Sequence, residues 1–496
     1  MKKRTKILAT VGPACEDVDT LEQMIRAGVN LFRLNFSHGT HIYHEANLRR
    51  IRQAAGRCGL VVGVLQDISG PKVRIGELEG TVELVPGDTI EFVQEELVGG
   101  FVKPGKLQLS LNHPELLAKV KKGEAIYFAD GSLRTTVVKC GKSVVCEVQN
   151  SGKLSTRKGV NFPQTSLGMD VLTDKDRADI AWGVRHGVDF MAISFVQTAK
   201  DMEDARTEVQ SHRGRTQLIA KIEKFDAVEN IDDILSVCDG LMVARGDLGI
   251  EVPYYRVPSI QKMLIQKANE ASKPVITATQ MLLSMTHAER ATRAEISDVA
   301  NAVLDGTDCV MLSEESAVGQ YPVKTVETMT QTIREAEKMY PFHRIGQFEN
   351  YDEMDVIDES AVLLTHKIGA KAILAMTASG QSAKKLARYR PKMPILAVMH
   401  DEHVARMLTM VWGVVPAFLT RTSTTDKMLI EVVQSGLERR VLDRDGMYVV
   451  TAGDPVGVPG TTNTIRILRE SELEYFASAP LKQRSKKMPS GTATLF

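Results

Sequence analysis

Two kinds of hydrophobic patterning alternate along the first two-thirds of the chain. Short runs at 5–11, 29–36, 60–67, 190–195, 217–223, 240–245, 274–279 and 308–313 are mostly continuously apolar and end in polar residues or glycine. That is the pattern of strands covered on both faces in a parallel sheet. Between them, stretches at 20–26, 45–56, 174–185, 200–211, 227–236, 257–272, 293–304 and 322–339 space their apolar residues at helical intervals, which predicts helices with one buried face. Eight strand-then-helix units predict an α/β fold built on a (β/α)8 TIM barrel. A doubly wound open sheet would use the same units, but the count of eight favours closure.

The third unit is interrupted. From 71 to 162 the runs are short and alternating, with turn chemistry at Pro86-Gly87-Asp88, Lys122-Gly123-Glu124 and Cys140-Gly141-Lys142, which predicts a small inserted β-barrel domain. An insert at the carboxyl end of the third strand would hang over the barrel mouth as a lid. The barrel itself would take 1–70 and 163–345. A second α/β pattern over 351–471 predicts a separate C-terminal domain, with helices at 358–368 and 382–389 and strands at 372–377, 394–399, 447–452 and 464–468. Residues 472–496, rich in Ser, Lys, Pro, Gly and Thr, read as a flexible tail whose basic run 482–487 is solvated.

Composition narrows the function. Lys+Arg and Asp+Glu are equal at 62 each, so the formal net charge is +0 and the basic excess of a nucleic-acid binder is missing. With 43% apolar and 25% charged residues the chain is globular, and at 5% aromatic its core is aliphatic. The six cysteines are scattered and read as reduced thiols, Cys140 and Cys146 included. Met1-Lys2-Lys3-Arg4 is followed by too short an apolar stretch for a secretory leader. No apolar run is long enough for a membrane span, and the expected location is the cytoplasm.

Polar residues at the carboxyl ends of barrel strands are the candidates for chemistry. Here they are Arg33, Asn35, Ser37, Asp67, Ser194, Lys221, Glu223, the run Arg245-Gly246-Asp247, Thr279-Gln280 and Ser313-Glu314-Glu315. Lys221 and Glu223 lie two apart on a strand and so face the same side. A lysine with two carboxylates, Glu223 and Asp247, suggests a hard divalent cation beside an anionic substrate, since Mg2+ takes one or two protein carboxylates and fills its remaining positions with water and substrate oxygens. A single Lys-x-Glu would read as an internal salt bridge; polar clusters at consecutive strand ends make that the weaker reading.

These segments resemble a known family. Lys6-Ile7-Leu8-Ala9-Thr10-Val11-Gly12-Pro13, Phe32-Arg33-Leu34-Asn35-Phe36-Ser37-His38-Gly39, Ile219-Ala220-Lys221-Ile222-Glu223, Ala244-Arg245-Gly246-Asp247-Leu248-Gly249 and Ala278-Thr279-Gln280-Met281-Leu282 are similar to the motif blocks of the pyruvate kinases. The resemblance implies phosphoryl transfer from phosphoenolpyruvate to ADP, giving pyruvate and ATP in glycolysis. It implies Mg2+, with Mn2+ as the alternative, held by Glu223 and Asp247. Arg33 and Lys221 would sit on the phosphoryl group, Gly246 and Asp247 would take the carboxylate through backbone N–H groups, and Ser194 would line the substrate site. Thr279 would order a proton-delivering water. Arg74 and Lys158, with Asn35 and His38, match nucleotide contacts. A homotetramer is also implied.

Two local departures refine the resemblance. In the family a K+ is held by residues matching Asn35, Ser37, Asp67 and the carbonyl of Ile68, and it goes with a glutamate in the third-strand block. Here the block is Asp67-Ile68-Ser69-Gly70-Pro71-Lys72, and the Lys72 ammonium stands where that carboxylate would be. This resembles the bacterial branch that does not need K+. In the C-terminal domain, Thr377-Ala378-Ser379-Gly380-Gln381-Ser382 follows a strand and opens a helix, an arrangement that suits an anion and also plain N-capping. In the family, this loop binds an allosteric phosphorylated metabolite; the residues concerned are Thr377, Ser379, Gly380 and Ser382. Asp454 in the late loop would repel a second phosphate, which favours a monophosphate effector.

Other readings compete. Another phosphoenolpyruvate- or oxoacid-handling barrel, such as a mutase or a Mg2+-dependent aldolase, would use Lys221, Glu223 and Asp247 but not Arg74 and Lys158. A catalytically silent metabolite sensor would not need every catalytic position filled. His38, His41 and His44 suggest a metal site, but no supporting carboxylate is evident and a helix start is the better reading.

Overall fold

The computed structural model of the protein describes residues 3–165, 168–348, 352–422, 424–454, 458 and 460–480. Its largest sheet is a closed parallel barrel of eight strands, Lys6–Thr10, Leu31–Asn35, Gly63–Asp67, Phe190–Ile193, Gln217–Ile222, Gly240–Ala244, Val275–Ala278 and Cys309–Leu312. The first strand pairs with the eighth from Lys6↔Cys309 to Ala9↔Leu312, which removes both sheet edges. Closure, not an open sheet, is the outcome.

The continuous apolar runs arise because each strand is buried on both faces. Residues such as Ile7, Phe32, Val64 and Val243 point outward into a layer shared with the surrounding helices. Leu8, Leu65, Ile219, Met242 and Met311 point inward, and their cluster continues without a break into Ile373, Leu386 and Ile395 of the C-terminal domain. The C-terminal domain thus closes the underside of the barrel with an apolar plug. Helix ends follow local chemistry. Thr173 and Thr292 open helices with capping boxes, and Gly187 and Gly306 close them in the left-handed conformation.

Several elements differ from the sequence pattern. The helix expected over 227–236 is two, Phe225–Glu229 and Ile231–Val237, broken at Asn230, whose side chain donates to Gln197 O at 2.9 Å. A short helix, Arg245–Glu251, follows the sixth strand directly; its two glycines hide it from propensity. Strand Val414–Leu419 contains Pro416 and so reads poorly as a strand, yet it lies at the edge of the five-stranded sheet, where a missing N–H is tolerated. Within the expected flexible tail, a helix runs Glu470–Ser478 with Leu473 and Phe476 buried, because these residues share one helical face. The rest of that expectation, 481–496 with its basic run, lies outside the described residues.

The insert contains a seven-stranded sheet and a two-stranded ribbon. Residues 74–78 link the two ends of the larger sheet through single bridges, Arg74↔Gly159, Ile75↔Leu111 and Leu78↔Gly99. Among the described residues, no helix is long and apolar enough to cross a membrane, and all six cysteines are free thiols.

One polar joint is set into the apolar plug. The buried guanidinium of Arg390, from the C-terminal domain, meets Asp308 of the barrel at 2.9 and 3.2 Å and also donates to Gly306 O at 2.7 Å. Removing the cation strands a buried carboxylate. Arg390→Met should therefore cost about 3–5 kcal/mol, read as a lower urea midpoint for the full chain; an unchanged midpoint would show that the pair is dispensable.

Candidate active site at the barrel mouth

The third, fourth, fifth and sixth strands deliver their terminal side chains to one place. Lys221 Nζ lies 2.8 Å from Glu223 Oε1 and 3.2 Å from Asp67 Oδ1. It also donates to Ser194 Oγ at 2.6 Å, and Ser194 Oγ donates onward to Ile68 O at 2.7 Å. Asp67 uses its other oxygen for Arg33, whose Nε is 2.6 Å away, while Arg33 Nη1 donates to Thr10 Oγ1 at 3.1 Å. The second oxygen of Glu223 accepts the Phe195 N–H at 2.7 Å, and Phe195 holds a left-handed backbone (φ 58°) to present it.

Electrostatics follow from this packing. Burial would strip the proton from Lys221, but Asp67, Glu223 and Asp247 together hold it charged well above the usual lysine range. Burial also works against the Asp67 carboxylate, and Lys221 and Arg33 more than offset it, keeping its pKa below the ordinary value. Asp247 is the exception. It has no ion-pair partner within the protein among the described residues, and burial, then the Glu223 charge, push it up to about 6. A carboxylate left short of positive charge beside another carboxylate is the environment that a divalent cation relieves. The described residues contain no group of three or more His, Cys, Asp or Glu able to hold a metal; two carboxylates suffice for Mg2+, which keeps several waters.

Thr279 sits opposite. Its hydroxyl donates to Ala278 O at 2.7 Å and accepts the Gly246 N–H at 2.9 Å, so that N–H, expected to take a substrate carboxylate, is engaged by Thr279 here. Thr279 and Gln280 both have positive φ, 68° and 55°. What holds them is Arg245, which donates to Ala278 O at 3.1 Å and Thr279 O at 2.6 Å and pairs with Asp298 at 2.7 Å. Arg245 is therefore a positioning residue that the sequence offered only as one of many strand-end polar groups. Glu315 caps nearby backbone, accepting from Leu282 N and Ser313 N at 3.2 and 2.7 Å.

A cleft of about 1100 Å³ opens from Asp247 to the insert, lined by His38, Lys72, Arg74, Lys158, Lys224 and Asp130 among others. The two arginine and lysine positions expected for nucleotide phosphates thus face one space with the carboxylate, Arg74 braced by Arg157 O at 3.1 Å. Lys224 and Asp130 were not foreseen; nothing in their local sequence marks them. Lys72 Nζ donates to Ser37 Oγ at 3.2 Å, while Asn35 Oδ1 accepts the Ser37 N–H at 3.1 Å. The three histidines do not converge. His41 meets Asp179 at 2.7 Å, and His44 donates to His38 O at 2.8 Å and stacks on Phe36.

In the C-terminal domain Thr377, Ser379 and Ser382 line a second cavity of about 490 Å³ with His400 and Thr461. Gly380, at φ 90°, donates its N–H to Thr377 Oγ1 at 2.9 Å, and Ser382 shares a hydrogen bond of 2.6 Å with Thr462. Of the late loop, 455–457 lie outside the described residues.

A strand-end lysine, paired carboxylates and a cationic cleft define a barrel enzyme of phosphoryl transfer. Comparisons with known proteins specify it further. Residues 2–326 match the family model described as "Pyruvate kinase, barrel domain" and residues 355–468 the one described as "Pyruvate kinase, alpha/beta domain". A pyruvate kinase of Geobacillus stearothermophilus is 44% identical over 95% of this chain and 81% of that relative. One of Sporosarcina psychrophila is 42% identical over 94% and 80%. The crystal structure of a pyruvate kinase from Cryptosporidium parvum superposes with a TM-score of 0.88 at 35% identity, covering 94% of this chain and 96% of that one. The chain belongs to the pyruvate kinase family, kinases that transfer a phosphoryl group between phosphoenolpyruvate and ADP/ATP. The mutase, aldolase and silent-sensor readings fall away.

The unrelieved carboxylate yields a test. Asp247→Asn removes charge that burial and Glu223 disfavour, so without metal its melting temperature should match or exceed the parent's, by about 1–2 °C per kcal/mol released. The Mg2+-induced rise should disappear. Scanning fluorimetry with and without Mg2+ checks both; a mutant less stable without metal would contradict the electrostatic argument.

Proposed function

We propose that this enzyme makes pyruvate and ATP with Glu223 and Asp247 holding Mg2+, without a requirement for K+, and under activation by a phosphorylated metabolite. The observation that carries the site assignment is the Lys221 ammonium gripped by Glu223 at 2.8 Å at the end of the cleft that Asp247 shares with Arg74 and Lys158. When bound, the metal supplies positive charge to the substrate carboxylate and the enolate oxygen. Lys221 and Arg33 bind the phosphoryl oxygens and offset the charge spread over them during transfer. They act by prior placement, since phosphoryl transfer needs little covalent help from the protein. Arg74 and Lys158, with Asn35 and His38 nearby, orient the ADP phosphates. The Thr279 hydroxyl, its proton directed at Ala278 O, orders the water that protonates the enolate carbon; an unperturbed hydroxyl is itself a poor acid.

Independence from K+ is supported by the Lys72 contact with Ser37 at 3.2 Å. Of the other oxygens expected around a K+, both of Asp67 are engaged by Arg33 and Lys221, and Ile68 O accepts Ser194 Oγ. A tethered ammonium therefore supplies the charge that the free ion would. The effector reading rests on the hydroxyl-lined cavity at Thr377, Ser379 and Ser382, beside the Gly380 turn, and the carboxylate of Asp454 favours a monophosphate, AMP or a sugar monophosphate. A homotetramer in the cytoplasm completes the proposal.

Lys221→Met should lower kcat by about 10²–10³-fold while leaving the melting curve cooperative; a coupled assay of phosphoenolpyruvate plus ADP measures it, and near-normal turnover would remove Lys221 from the mechanism. Lys72→Glu should make activity depend on K+, whereas the parent should be equally active in K+ and in an inert organic cation. An effector screen should rank monophosphates first, and strongest activation by fructose 1,6-bisphosphate would overturn that choice.

A further inference from the structure

Beneath the barrel, where helix Gln381–Arg388 meets the amino ends of the fifth and seventh strands, positive charge accumulates without an evident counterpart. A small cavity there is lined by Ser272, Lys273, Asp308, Lys384, Arg388 and Arg390 among others. The two arginines have acids: Arg390 meets Asp308 at 2.9 Å and Arg388 lies 3.6 Å from Asp355. The two lysines have neutral partners in the hydrogen bonds they make. Lys384 Nζ donates to Gln217 Oε1 at 2.9 Å, and Lys273 Nζ donates to Leu235 O. The nearby acid, Asp239, is committed to Arg206 at 2.6 Å and to the Leu218 N–H at 2.7 Å.

We propose that this cavity binds a phosphate-sized tetrahedral oxyanion between Lys273 of the barrel and Lys384 of the C-terminal domain. An ammonium has three donors, so each lysine keeps donors beyond its one neutral contact. Four cationic side chains and one carboxylate line the cavity, and water filling it would solvate the ammonium groups but leave that excess of charge unbalanced. Burial lowers the Lys384 pKa below the ordinary lysine value against the pull of Asp239, with Lys273 and Arg206 adding their repulsion. The site is distinct from the effector loop, which lies at the other end of the same helix. Its consequence is mechanical: the anion would fasten that helix to Gln217, the first residue of the strand that carries Lys221.

The test titrates the full-length enzyme with inorganic phosphate at constant ionic strength and follows the melting temperature. The parent, Lys384→Gln, Lys273→Gln and the effector-loop variant Ser379→Ala are compared. The parent and Ser379→Ala should show a saturable rise. Each lysine variant should weaken the apparent phosphate affinity by about tenfold, the worth of one charge-assisted hydrogen bond, and should be no less stable than the parent in phosphate-free buffer. Selenate-soaked crystals should show anomalous density between the two lysines. The proposal is overturned if both lysine variants melt lower by the same amount at every phosphate concentration, which is a purely structural role. It is equally overturned if they keep the full phosphate response, if selenate density appears with no response in solution (binding at crystal concentration only), or if only a phosphate monoester, and not phosphate itself, produces the rise.

Discussion

Lys221 brings one positive charge to a place where Asp67, Glu223 and Asp247 converge from the third, fifth and sixth strands. Arg33 adds a second, and the site still ends one positive charge short of balance. Everything at the mouth follows from this imbalance. The carboxylates keep the ammonium charged despite its burial, Arg33 is drawn onto Asp67, and Asp247 is left with a pKa near 6 for want of a partner. A site that is over-neutralised would have no use for a metal, and in one without Lys221 burial would push the carboxylates toward protonation. The barrel supplies the rigidity that makes such an arrangement durable, because each group sits at the end of a strand clamped on both sides.

Much of this was legible in the amino-acid order, for physical reasons. Strands buried on both faces must be apolar throughout, so eight such runs stood out, and their polar terminal residues were visible as breaks in the pattern. Lys221 and Glu223 could be placed on one side by the two-residue repeat of a strand alone. What stayed hidden depended on long-range contact. Arg245 holds the strained backbone of Thr279 from 34 residues away, and no spacing rule links the two. The His41 partner, Asp179, lies 138 residues on. Strand Val414–Leu419 was masked by its proline, which only the edge position explains, and helix Glu470–Ser478 was masked by tail-like composition although two of its residues are buried. Lys224 and Asp130 reach the cleft through the folding of two separate segments.

The underside of the barrel is as specific as its mouth. An apolar cluster shared with the C-terminal domain gives the contact its strength, and directional groups within it give a register. Arg390 reaches Asp308, and Asp308 in turn accepts the Trp412 and Val275 N–H groups at 3.1 and 3.2 Å, so a residue of the C-terminal domain is tied to the start of the strand that leads into Thr279. Rotation of one domain against the other would break several of these bonds at once, so the joint favours discrete positions over gradual sliding.

The pairing of the first strand with the eighth, Lys6 against Cys309, bears on how the molecule is made. During synthesis the opening strands leave the ribosome some three hundred residues before their last neighbour exists, and they must wait with apolar faces uncovered. The insert, whose strands pair mostly with close neighbours in the chain, can assemble in the meantime. The nascent chain would then carry a finished small domain tethered to an unfinished large one, and that waiting interval is when chaperones have most reason to engage it.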